Sequence, residues 1–333
     1  MRFMKLDALG KHILTAAILL LYPHSGHAQS SLFYFEAQAV AGYSSAANEA
    51  IYYSMMPLDA MQKPSVGFDW LQRLSTESRD FGVIGVQARL AYNHEPDREV
   101  ELQLYNAWFK YKAGFADFWI GHDRAAFGLS SYFDSHGLLL PTLAMTGWGF
   151  DRDWGLGFNG DYSWGTIDAA WTTGSGMPLY FKGNYLASAR VSWGVLEQDN
   201  YNFGLSGAWG DILETMGYEL MSDDPVMFHM GSLDFTYLRT RYESRLELMA
   251  GERADDPAYA LFWRGTMNLL AENRLKLEVQ PAIWRMLGGS SFDLSAGVSG
   301  QITTDLALRA MYQYIDDSED NRIVFQVYSD RGM

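Results

Sequence analysis

The chain has 333 residues, no cysteine, a formal net charge of −15 and an aromatic content of 15%. So acidic a chain has no surplus of Lys and Arg for phosphate contacts, which argues against nucleic acid as a partner. The absence of cysteine excludes a disulfide framework, and the aromatic content excludes a disordered chain.

Taken from the N-terminus, residues 1–28 read as a cleaved signal peptide. Arg2, Lys5 and Lys11 precede an apolar run from Ile13 to Leu21, and the small-residue stretch Ser25-Gly26-His27-Ala28 follows. The run is shorter than the roughly 20 residues a spanning helix needs. The mature chain, residues 29–333, is then a single domain of net charge −17, because the leader holds three bases and one acid.

From there period-two alternation recurs almost without interruption. Phe33, Phe35, Ala37, Ala39, Ala41 and Tyr43 alternate with Tyr34, Glu36 and Gln38. Ile84, Val86, Ala88, Leu90 and Tyr92 follow the same rule, as do Tyr185 to Trp193, Leu275 to Ile283, Phe292 to Ile302 and Leu306 to Tyr314. About sixteen such segments start near Phe33, Ser65, Phe81, Val100, Phe115, Asp153, Trp164, Phe181, Tyr201, Gly231, Glu243, Ala258, Arg274, Ser291, Asp305 and Asn321. Their connections alternate in kind. Ala113-Gly114, Asn159 to Asp161, Ala271 to Asn273 and Thr303-Thr304 read as tight turns. Ser44 to Pro64, Arg124 to Phe150 and Asp211 to His229 read as long loops.

Short turns on one side and long loops on the other predict an all-β transmembrane antiparallel barrel of about sixteen strands in an outer membrane. A soluble sandwich would need two cores and a boundary between them, and no boundary is visible. Closure turns every apolar face to lipid and leaves no unpaired edge. Tyr43, Tyr92, Trp193, Trp209 and Tyr314 suit interfacial girdles. Pro281 inside a strand removes a ladder donor and calls for a bulge.

Sixteen strands enclose an aqueous channel, so the reading is a porin for passive diffusion of small hydrophilic or anionic solutes. The inward phase supplies candidate pore-lining residues Arg89, Glu101, Arg190, Arg264 and Arg309. The loop from Arg124 to Phe150 contains Leu138-Leu139-Leu140-Pro141, Leu143 and Met145, too apolar to stand in water at roughly 1.5–3 kcal/mol per large side chain. It is expected to fold inward, with Arg124, Asp134, His136 and Arg152 at the constriction.

Residues Asn106 to Leu129, NAWFKYKAGFADFWIGHDRAAFGL, resemble a hairpin of the porin O/P type, the phosphate-selective porins, through Ala107, Tyr111, Lys112, Gly121, Phe127 and Gly128. The resemblance implies a sixteen-stranded, trimeric, anion-preferring channel. The loop here lacks the lysines of that family's anion sites, and Ser329 to Met333 trail beyond an otherwise suitable last strand. The expected partners are outer-membrane lipid, small solutes and two further copies in a homotrimer. No cofactor or metal is expected: His122-Asp123 lacks further ligands, and no G-x-S-x-G marks an enzyme. Ser131, Asp134 and His136 are close in sequence, which is no triad in itself. The alternative is a non-conducting barrel that sheathes a partner such as a periplasmic electron carrier.

Overall fold

The computed structural model describes residues 30–58, 62–93 and 100–333. The expected leader and its boundary lie outside these residues. The strands that build the barrel wall are β1 (Ser31–Ser44), β2 (Ser65–Ser75), β3 (Asp80–Tyr92), β4 (Val100–Lys112), β5 (Asp117–Asp123), β6 (Asp153–Tyr162), β7 (Gly165–Thr172) and β8 (Tyr185–Trp193). They continue as β9 (Tyr201–Ile212), β10 (Val226–Leu238), β11 (Tyr242–Arg253), β12 (Asp256–Leu269), β13 (Leu275–Met286), β14 (Gly289–Thr303), β15 (Leu306–Ile315) and β16 (Asp320–Gly332). Each pairs antiparallel with the next. β16 returns to β1, from Tyr34↔Gly332 to Ser44↔Arg322, and closes a sixteen-stranded barrel.

The alternation has the physical consequence expected of it. Val279, Ile283, Leu308 and Phe325 are 41%, 48%, 44% and 59% exposed, while their neighbours Gln280 and Gln326 are buried inside. An apolar belt of this kind is stable only against lipid, and closure satisfies every strand edge within the belt. Aromatic rings collect at its rims. At the short-turn end Tyr162 stacks on Trp164 at 5.6 Å, and Trp164 meets Trp193 at 6.5 Å.

Three expectations are corrected. Asn159 to Asp161 lie within β6, and the turn is Ser163-Trp164. The tail does not trail: Ser329 pairs with Ala37 and Arg331 with Phe35, so β16 runs on to Gly332. Pro281 makes no bulge. The β12–β13 register is the same on both sides of it, Phe262↔Ala282 and Gly265↔Val279, with the two intervening pairs missing. There Arg264 Nε donates to Gln280 Oε1 at 2.7 Å, a side-chain link across the interrupted ladder. A real bulge occurs in β4 at Tyr105, where the register with β3 shifts and both Tyr105 and Asn106 turn inward.

Candidate functional site

The longest connection, between β5 and β6, lies inside the barrel and is fastened to one side of it. At its start Gly128 adopts φ 59°, and its Cα stands so close to Glu247 that a Cβ would collide with the carboxylate. Glycine is the residue for such an approach. The Glu247 carboxylate accepts from Leu129 N at 2.7 Å, and Ser206 Oγ accepts from Gly128 N at 3.0 Å. Further along, Arg309 donates to Gly137 O at 2.7 Å, Arg264 to Leu140 O and Pro141 O at 3.0 and 2.9 Å, and Arg253 to Gly147 O at 2.8 Å. Tyr132 donates to Asp234 at 3.0 Å; burial and the Asp234 charge push its phenol up, so it remains a donor. All these anchors lie on β9 to β15.

Apolar contacts complete the attachment. Phe127, Leu129, Leu143 and Trp148 of the loop form one core with Leu186, Ile212, Phe228, Met230, Met249 and Phe262 of the wall. Leu139 and Leu140 form another with Val40, Met311 and Val324, joined by Ile51 and Tyr53 of the loop after β1. The loop after β9 adds Tyr218, whose hydroxyl donates to Leu104 O at 2.8 Å.

On the other side the loop leaves a cavity of about 920 Å³ against β16 and β1 to β8. Arg124, Asp134, His136 and Arg152 converge on it. Arg124 pairs with Asp134 at 2.9 Å, and Arg152 reaches the same carboxylate at 3.6 Å while also pairing with Asp151. Burial works against the Asp134 charge, but Arg124 and Arg152 outweigh it and hold the carboxyl below its usual range. Arg152 donates to Asn106 at 2.8 Å and lies 3.7 Å over the Tyr105 ring. Tyr105 in turn packs on His136 at 4.3 Å, and His136 Nε2 meets Glu36 at 2.6 Å.

Of the five wall candidates, Arg190 alone borders this cavity, and it is paired with Asp234 at 2.7 Å. The other four point inward but are covered. Arg89 pairs with Glu36 at 3.5 Å and Glu101 with Lys63 at 3.1 Å, while Arg264 and Arg309 hold the loop. Ser131, Asp134 and His136 do not join in a relay: the Ser131 hydroxyl donates to Gly128 O at 2.7 Å, and His136 turns to Glu36. Sequence reasoning missed Tyr105, because a bulge flips the inward phase in mid-strand and leaves no local mark. It also missed Asp69, Asp117, Trp108 and Lys110 as cavity residues, because their heights on the wall come from register.

No family model matches this chain, and no curated protein matches it. Solved structures do. A loop-deletion mutant of OmpT, an outer membrane protein of Vibrio cholerae, aligns at 12% identity and TM-score 0.64, over 92% of this chain and 100% of that one. The anion-selective porin from Comamonas acidovorans aligns at 10% identity and TM-score 0.62, over 92% and 100%. Salmonella typhi OmpF, in a complex with daunomycin, aligns at 9% and 0.61, over 90% and 97%. These neighbours do not single out the phosphate-selective type. What the chain shares with them is the fold of an outer-membrane β-barrel.

Proposed function

We propose that the protein is an outer-membrane porin: a water-filled channel for passive diffusion of small hydrophilic solutes, with the β5–β6 loop as its constriction. One observation carries the reading. The loop is fastened inside a sixteen-stranded barrel, mainly by hydrogen bonds to β9 to β15, and borders a polar cavity of about 920 Å³. Arg124, Asp134, His136 and Arg152 are the constriction residues in this reading, with Arg190 on the facing wall. Short turns then face the periplasm and long loops the exterior. A homotrimer and the absence of catalysis belong to the same reading; one neighbouring structure is described as a trimer form of OmpT.

The anion preference implied by the phosphate-selective resemblance has no support in the cavity, since Arg124, Arg152 and Arg190 each already hold a carboxylate. The sheath alternative is also disfavoured. Loops of the chain itself occupy the lumen that a partner would fill. The test is reconstitution in planar bilayers. The native chain is expected to give discrete conductance steps, and deleting Ser130 to Thr146 to enlarge them in a barrel that remains folded. Unchanged steps would remove the loop from the pore, and a silent barrel that co-purifies with another protein would restore the sheath.

A further inference from the structure

The charge of the cavity is not balanced by its own cations. Four cationic side chains border it, and each is already within ion-pair distance of a carboxylate. Lys110 meets Asp123 at 2.8 Å, Arg124 meets Asp134 at 2.9 Å, Arg190 meets Asp234 at 2.7 Å, and Arg152 pairs with Asp151. Asp69, Asp117, Asp161, Asp168, Glu197 and Asp330 border the same cavity, and among the described residues none of them has a cation within 4.0 Å.

Register places these six in two banks. Asp117↔Asn159↔Asp168↔Arg190 is one row across β5 to β8, with Asp161 and Glu197 just below it toward the short turns. On the other bank Asp69 lies opposite Tyr34, and Asp330 lies opposite Glu36. Asp168 keeps its orientation through Asn159 Nδ2 at 3.0 Å and Thr166 Oγ1 at 3.1 Å, both neutral donors, while its register partner Arg190 makes its close ion pair with Asp234. Like charges held in a narrow aqueous space, walled by low-dielectric protein, raise the local concentration of counter-ions.

A second observation narrows the class of counter-ion. The His136 side chain borders the cavity, is only 7% exposed, and meets Glu36 through Nε2 at 2.6 Å. A carboxylate only accepts, so in the neutral ring Nε2 carries the proton and Nδ1 is left as a lone pair. That Nδ1 is buried and has no hydrogen-bond partner. In that neutral form it offers a lone pair beside the acid-lined space, which an N–H donor can meet and an anion cannot.

We propose that the cavity takes small ammonium-bearing solutes, with diamines held by both acidic banks, and that passage favours cations over anions. This rests on the channel reading above and names its solute class. The probe is 1,4-diaminobutane, titrated calorimetrically into the full folded chain in detergent at low salt, with succinate as the oppositely charged control. Binding of the diamine but not of succinate is expected. Asp117→Asn with Asp168→Asn, or Asp69→Asn with Asp330→Asn, is expected to weaken it by about tenfold. His136→Leu, in a chain whose barrel remains folded, is expected to weaken the diamine as well. Equal binding of succinate, or no binding of the diamine to a folded native chain, overturns the proposal. So does undiminished binding in both double variants. A folded chain that binds the diamine yet gives no conductance steps overturns the channel and leaves the ammonium site standing.

Discussion

The two halves of the barrel interior are built from the same strands with the same alternation, yet they hold opposite chemistry. On β9 the inward residues Asn202, Gly204 and Ser206 at the short-turn end give way to Ala208, Gly210 and Ile212. On β10 Thr236, Asp234 and Ser232 give way to Met230 and Phe228, and on β12 Asn268, Thr266 and Arg264 give way to Phe262, Ala260 and Ala258. β8 changes in the same way, from Arg190 and Ser188 to Leu186. The switch falls where the loop core begins. Alternation states which face is inside; the change along the inward phase states whether the loop is met there by polar anchors or by apolar packing.

The largest expected effect tests the apolar half. Phe228 is fully buried between Phe127 and the wall. Phe228→Ala should cost about 3–5 kcal/mol, whereas Ser232→Ala, two residues down the same inward phase, should cost about 1 kcal/mol. Denaturant unfolding in lipid vesicles measures both. Equal small costs would mean that the loop core adds nothing to the barrel and that the two halves do not differ.

An intermediate effect is expected at the boundary. Arg264 is completely buried and spans both halves through Gln280 below and the Leu140 and Pro141 carbonyls above. Arg264→Met nearly keeps the volume but strands the Leu140 carbonyl, Pro141 O still accepting from Gln280 Nε2 at 2.9 Å, which should cost about 1–3 kcal/mol. The loop should also become accessible to protease from the long-loop end. Unaltered protection would show that apolar packing alone holds it.

The smallest effect belongs to the wet half. Because Arg124 and Arg152 hold the Asp134 carboxyl below its ordinary range, the stabilisation it contributes is complete above that range, around pH 4. It is lost only as pH falls through the lowered value. Single-channel noise from loop motion should therefore stay flat from neutral pH to about pH 5 and rise only under stronger acid, while Asp134→Asn should show the raised noise throughout. Noise that rises already between pH 6 and 5 would place the controlling proton on a group other than Asp134.

The strands were legible because their physical cause is local. A side chain on a strand faces one way or the other, and the lipid belt imposes the apolar choice residue by residue. The β5–β6 loop was legible for a related reason: Leu138 to Pro141, Leu143 and Met145 are too apolar for solvent. Arg124, Asp134, His136 and Arg152 border one cavity. The same reasoning did not distinguish Arg190, which borders that cavity, from Arg264 and Arg309, which lie beneath the loop. All three have the same phase and the same charge, and what separates them is the side of the barrel the loop lies against. The inward Phe228, Met230 and Phe262 were the sequence signal for that side, since an inward apolar run needs an apolar partner.

By itself the sequence determined the class of fold, the number of strands to within their ends, and the need of one loop for burial, because burial and alternation act on neighbouring residues. Tertiary structure alone decided the rest. Closure set the heights of Asp69, Asp117, Asp168 and Asp330, which depend on register across strands distant in sequence. The β4 bulge brought Tyr105 under Arg152. Pairing within the folded chain then decided which of the carboxylates that border the cavity have a cation within 4.0 Å and which do not, because an opposite charge in close contact offsets most of a carboxylate's field.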